Sequence, residues 1–278
     1  MQFRISHTTR YTYAKPVSLG PHVIRLHPRA DANLLLQAYH CTIEPEPRVR
    51  SYCLDQAGNV ILRAEFVTPT QQLLIVSDFE ATTIENAHDL SALPAELPVH
   101  YSQEEAAYLA VYRQGAVTDP SALALLGEIR ETSQSQAIQF LDALNTYLYK
   151  HIAREIRDRG TPQTPQQTLT RQRGACRDIT VLFMALCRAQ GFAARFVSGY
   201  QAKADIEHDK RYMHAWPEVF VPGVGWCGYD PTHATRVKDA HVALAASHVP
   251  AGAAPVEGSY YGEAVESALT FNLSIDVS

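Results

Sequence analysis

The chain has 278 residues, 46% hydrophobic and 19% charged, with 24 Lys and Arg against 29 Asp and Glu for a net charge of −5. That composition excludes intrinsic disorder and collagen-like repetition. The mild acidity, with no Lys/Arg run, argues against nucleic acid or an anionic membrane as the partner, since both need clustered positive charge.

At the N-terminus, Met1 to His7 carries no apolar core of signal-peptide length, and the longest apolar run, Ile179 to Cys187, is too short to cross a bilayer. The expected location is therefore cytoplasmic. Five cysteines, at 41, 53, 176, 187 and 227, form no CxxC pair and are odd in number, which fits a reducing compartment and turns attention to a free thiol.

Phe3, Ile5, His7, Thr9, Tyr11 and Tyr13 alternate with polar residues, the period of a half-buried strand. Further strands are predicted over 34–43, 48–54, 60–67 and 73–79, divided by the turn-forming Glu44-Pro45-Glu46-Pro47, Asp55-Gln56-Ala57-Gly58-Asn59 and Thr68-Pro69-Thr70. Residues 1–86 thus read as an N-terminal β-sandwich domain and 87–118, broken by Leu93-Pro94 and Leu97-Pro98, as a connecting segment. Asp119 and Pro120 then supply a helix cap and first position, and a second helix fits 135–151. Residues 161–168 are expected to form a loop.

From Cys176 to Gln190 the chain is apolar almost all round and is stopped by Gly191, the signature of an interior helix. Strand-like runs follow at 194–200, 214–221, 225–230 and 268–277. Residues 119–278 therefore read as one domain, and the whole as an α+β protein with a buried helix against an antiparallel sheet.

Cys176 opens the interior helix, where unpaired N–H groups and the helix dipole favour a thiolate. His214 starts one strand and Asp230 ends the next. If these pair as a hairpin around Pro222-Gly223-Val224, Asp230 returns beside His214, giving a nucleophile, its base and the carboxylate that orients the base. The Cys176 N–H would then supply one oxyanion donor.

Three blocks carry a resemblance. Arg173-Gly174-Ala175-Cys176-Arg177-Asp178, His214-Ala215-Trp216-Pro217-Glu218-Val219 and Asp230-Pro231-Thr232 resemble, in this order, the nucleophile helix, histidine strand and aspartate block of the transglutaminase-like superfamily. Upstream, His7-Thr8-Thr9-Arg10-Tyr11-Thr12-Tyr13, Arg25-Leu26-His27-Pro28-Arg29 and Asp55-Gln56-Ala57-Gly58-Asn59 are similar to the bacterial branch with an extra N-terminal β-domain, members of which are regarded as cysteine peptidases. The resemblance implies a papain-like or transglutaminase-like core and acyl transfer through a thioester. It also implies no cofactor and a peptide or protein substrate, with release to water favoured over transfer to an amine. A binding module on the same fold is the competing reading, and the oligomeric state is not legible. Two positions depart from the family pattern: Arg177 replaces the usual glutamine, and Ala246-Ser247-His248-Val249 stands where Gly-Arg-Asp-Tyr is expected. Arg177 either lowers the thiol pKa or pairs with Asp178 or a distant carboxylate.

Other signals have plainer readings. Trp216 and Trp226 fill a sheet face or line a cleft, and Cys187 packs in the core. Gly223 to Gly228 matches GxGxxG but lies in a predicted strand, with no helix to open. His208, His214, Cys227 and His233 lack the spacing of an established zinc unit, and Asp205, Glu207 and Asp209 lack the glycine and terminal glutamate of a calcium loop.

Overall fold

The computed structural model describes residues 1–31, 33–85, 96–202, 211–262 and 265–278. Its N-terminal part is two sheets. In the first, β1 (Gln2–Leu19) lies between β6 (Thr70–Thr83) and β16 (Ser267–Val277), with β3 (Leu34–Glu44) beyond β6 and β15 (Tyr260–Tyr261) at the far end of β1. In the second, the order is β14 (Val256–Glu257), β2 (His22–Ile24), β5 (Val60–Glu65) and β4 (Val49–Leu54). Phe3, Ile5, Leu73 and Ile75 from the first and Ile24, Leu62 and Ala64 from the second share one core. The alternation of β1 thus buries one face, as its period-two pattern requires.

The C-terminal strand takes a different place from the one its sequence position gave it. Residues 268–277, grouped on sequence with the domain at 119–278, pair along β1 from Phe3↔Val277 to Tyr13↔Ser267. The strand-rich unit is therefore closed by the last strand of the chain, with β14 and β15 also returning to it.

The second half is built on a sheet of order β12 (Thr235–Arg236), β11 (Gly225–Asp230), β10 (His214–Val221), β9 (Ala194–Gln201) and β13 (His241–Ser247). One face carries α2 (Pro120–Thr132), α3 (Ala137–His151) and α5 (Cys176–Ala189), whose Leu126, Leu144, Leu148, Leu182 and Phe183 pack with Val219, Val221 and Tyr229. Tyr200, Val242 and Leu244 are buried in the N-terminal core. The sheet is thus covered by helices on one side and by the β-unit on the other. Among the described residues, no helix is long and apolar enough to cross a membrane.

Two segments read as irregular contain helices. α1 (Gln103–Tyr108) lies in the stretch read as a connector and starts with a capping box in which Ser102 and Glu105 satisfy each other's backbone N–H. α4 (Pro165–Arg171) occupies part of the expected 161–168 loop, with Thr164 and Gln167 as the reciprocal cap and Pro165 at the first helical position.

Candidate active site

The site is assembled from four pieces of chain. A short parallel pair, β7 (Ala153–Arg154) with β8 (Arg173–Gly174), sets the approach to α5, whose first residue is Cys176. Asp178 holds that turn in place. It is fully buried, and its Oδ2 accepts from Ala175 N at 2.8 Å while Oδ1 accepts from Gln163 N at 2.8 Å and from Arg157 Nη2 at 2.5 Å. Gly174 leaves room for this, because a Cβ there would stand 2.9 Å from the Asp178 Cβ. Asp178→Ala strips an acceptor from two backbone donors and a guanidinium at once. The expected cost is about 3 kcal/mol, the scale for breaking a buried ion pair, read as a lower urea midpoint with unchanged slope; a loss under ~1 kcal/mol would contradict this account.

The hairpin of β10 and β11 forms in the expected register, Val221↔Gly225 through Glu218↔Gly228, and it returns Asp230 to His214. His214 Nε2 lies 2.9 Å from Asp230 Oδ2, with both side chains almost wholly buried. That leaves Nδ1 as the ring nitrogen for the Cys176 thiol, whose ionisation His214 and the Ala215 N–H both favour. Gly199, opposite His214 on β9, cannot be anything larger. A Cβ there would lie 2.1 Å from Val242 O and 2.7 Å from the Trp216 ring, which stacks beside His214.

Three histidines converge on one carboxylate oxygen. Besides His214, His233 Nδ1 lies 2.8 Å and His241 Nε2 3.0 Å from Asp230 Oδ2, while Thr232 donates to Oδ1 through its N–H at 3.1 Å and its hydroxyl at 2.6 Å. A carboxylate so surrounded is strongly favoured in its charged form. Burial works against this, but His214 and the donated hydrogen bonds outweigh it, so Asp230 lies well below the usual carboxylate range. Burial alone would lower His214; the charge and hydrogen bond of Asp230, then the thiol, raise it to about 10. Burial also pushes the Cys176 thiol up, yet His214, the Ala215 N–H and the Arg154 guanidinium bring it below its ordinary value. His241 moves the other way, lowered chiefly by burial, and remains a neutral donor to Asp230.

The three predicted residues are thus brought together, and the setting of Asp230 is completed by His233, weighed on sequence only as a metal ligand, and by His241, which sequence reasoning passed over. The nitrogens of His214 and His241 and an Asp230 oxygen lie within 4.8 Å of one another, a spacing that can hold a metal ion. Both imidazoles sit at hydrogen-bond distance from the carboxylate. In the weighed zinc set, His208 lies outside the described residues, as do Asp205, Glu207 and Asp209, and the Cys227 thiol faces its own strand at Gly225 O.

Both departures from the expected pattern have a physical setting. Arg177 does not pair with Asp178, which Arg157 occupies; its Nη2 donates to Arg159 O at 2.9 Å. Ala246 is met through its backbone, N–H to Asn59 Oδ1 at 2.7 Å and C=O from Asn59 Nδ2 at 2.9 Å, while Asp55 orients Asn59 at 2.8 Å. His248 likewise contributes its carbonyl, to Arg188 at 2.7 Å. These contacts do not read the side chains at 246 and 248. Trp216 is fully buried between His214 and His241, and Trp226 lies under the Arg195 guanidinium at 4.2 Å. Cys187 is fully buried and its thiol is raised well above the ordinary value by burial.

Residues 3–82 match the bacterial transglutaminase-like N-terminal region, and residues 124–231 match the transglutaminase-like superfamily. An uncharacterized protein of Mycobacterium tuberculosis is 25% identical over 296 residues, spanning 99% of this chain and 92% of that one. An uncharacterized protein of Mycobacterium leprae is 23% identical over 287 residues, spanning 94% of each. Among solved structures, a candidate cysteine protease from Cytophaga hutchinsonii superposes with a TM-score of 0.72 at 18% identity, over 99% of this chain and 90% of that chain. At that identity the likeness is one of fold.

Proposed function

Since the chain belongs to the transglutaminase-like superfamily and carries its bacterial N-terminal region, we propose that it is a cysteine-dependent acyl-transfer enzyme that hydrolyses an amide, peptide or isopeptide bond. The observation that carries this is the buried His214–Asp230 pair at 2.9 Å, with the Cys176 thiol electrostatically coupled to that imidazole. A lowered thiol beside a raised imidazole favours the thiolate–imidazolium pair. The thiolate attacks the carbonyl carbon and forms a C–S bond. His214 then passes its proton to the departing amine, leaving a thioester, and next takes a proton from water so that hydroxide attacks the thioester and frees the thiol. The Cys176 N–H, unpaired at the start of α5, is placed to stabilise the oxyanion. Water is the favoured acceptor because it reaches the partly exposed Cys176 without a second binding site.

The pH dependence has a defined sign. Acylation is expected to rise through the lowered thiol pKa and to fall as His214 loses its proton near 10. The direct test follows alkylation of each of the five free cysteines against pH by mass spectrometry. Cys176 should label fastest well below pH ~8.5, ahead even of the exposed Cys53, and should lose that lead in His214→Ala. Equal rates for Cys176 and Cys53 in the wild type would move the binding-module reading ahead. Incubation with a glutamine-bearing protein and a labelled amine separates the acceptors: Cys176-dependent incorporation of label would replace hydrolysis by amine transfer.

A further inference from the structure

We propose that the cavity beside the turn that follows Asp230 holds a carboxylate of the substrate, so that the bond cleaved belongs to an acidic peptide. This deepens the thiol-enzyme reading and rests on it. The cavity, about 550 Å³, is bounded by the end of α3, by β7, by the first turn of α5 and by the turn after Asp230. That volume accommodates a few peptide atoms beyond a scissile bond.

Its walls are the same segments that hold the candidate residues. Arg154 stands opposite Gly174 in the β7–β8 pair, two positions before Cys176. Ile179 lies one helical turn beyond Cys176, and Thr232 Oγ1 is 3.3 Å from His214 Nε2. The basic side chains lining the cavity are Lys150 and His151 on its exposed rim and the half-buried Arg154 inside, with no Asp or Glu among its lining residues. Ile152 and Ile179 form a buried apolar floor, and a low-dielectric wall strengthens the field of charges set upon it.

The wider segment has the same sign. Residues 150–178 hold seven Lys and Arg against three Asp and Glu, in a chain whose net charge is −5. One of those three, Asp178, is already bound to Arg157 and two backbone N–H groups. A guanidinium fork and an ammonium at the mouth of a cleft favour a carboxylate over a neutral amide. That carboxylate can come from an acidic side chain or from a free C-terminus.

The proposal is tested by alkylating Cys176 at pH 7 with iodoacetate and with iodoacetamide. The ratio of the two rates cancels the thiolate fraction and reports the local field on an anion. We expect the ratio to fall about fivefold or more in a Lys150→Gln, Arg154→Gln variant, and also in the wild type when salt is raised from 20 mM to 0.5 M, as screening requires. A ratio unmoved by either change overturns the proposal while leaving the enzyme reading intact. If Cys176 resists both reagents, the enzyme reading fails and this one with it. Matched peptide amides then separate the sources, Glu against Gln beside the scissile bond, and a C-terminal acid against its amide. The acidic member of one pair should show kcat/KM at least tenfold higher, and equal values in both pairs would also overturn the proposal.

Discussion

Serine in place of Cys176 is expected to lower turnover by at least ~10³-fold while leaving the fold in place. The two side chains differ by one atom, and a hydroxyl can take the thiol's place beside His214 and the Ala215 N–H. What serine cannot do is ionise beside His214 at neutral pH. The thiol ionises more readily there, because the imidazolium, the Ala215 N–H and Arg154 together outweigh the burial that opposes them. Initial rates and a thermal melt on the same preparation check both halves. A variant that keeps more than a tenth of wild-type turnover would remove the thiolate from the mechanism.

Asparagine at Asp230 is expected to do nearly as much damage, for a different reason. The amide places an N–H₂ group among donors from three histidines and Thr232, so at least one donor faces another. Without the anion, His214 loses its main support as a cation and its fixed tautomer, which is worth about 10²–10⁴ in rate. Stability should also fall by about 3 kcal/mol near neutrality, the scale for a buried pair deprived of one charge. The pH dependence of that difference follows from the two shifts. Asp230 lies well below the usual range when folded, so its contribution is present above about pH 4 and is lost as pH falls toward the folded value. His214 is raised to about 10, so its contribution is full below about pH 6.5 and is lost as pH rises through 10. The gap between wild type and Asp230→Asn is therefore widest between about pH 4 and 6.5 and narrows on both sides. Urea unfolding at pH 3, 6 and 9.5 measures it, and a gap independent of pH would contradict the charge assignment.

How much of this was legible depends on whether the signal was local. The alternation from Phe3 to Tyr13 and the apolar run ended by Gly191 each announce one element, and both stand where the sequence puts them. The hairpin that joins His214 to Asp230 is legible because a short turn fixes its register. β13 is harder. His241-Val242-Ala243-Leu244-Ala245-Ala246-Ser247 is rich in alanine, a weak strand former, and six of its seven residues are buried, so no alternation marks it. His241 was missed with it. α4 is read as loop because no apolar period follows Thr164 and Gln167, although the two stand at capping-box spacing. Asp178 offered a clue of its own, a carboxylate inside an apolar helix two residues after the cysteine, where only a set of buried donors makes it tolerable.

The zipping of β16 onto β1 bears on how the molecule assembles. β1 meets β6 across a separation such as Phe3 to Ala81, but meets β16 across Phe3 to Val277. Closing the longer loop in an unstructured chain costs about 1 kcal/mol more in entropy. The intervening sheet and helices shorten that search if they condense first, because they carry the start of β16 back toward β1. In that order of events the strand-rich unit completes late. Until it does, one edge of its longest strand stays open along the eleven residues from Phe3 to Tyr13, the stretch through which two nascent copies would most readily exchange strands.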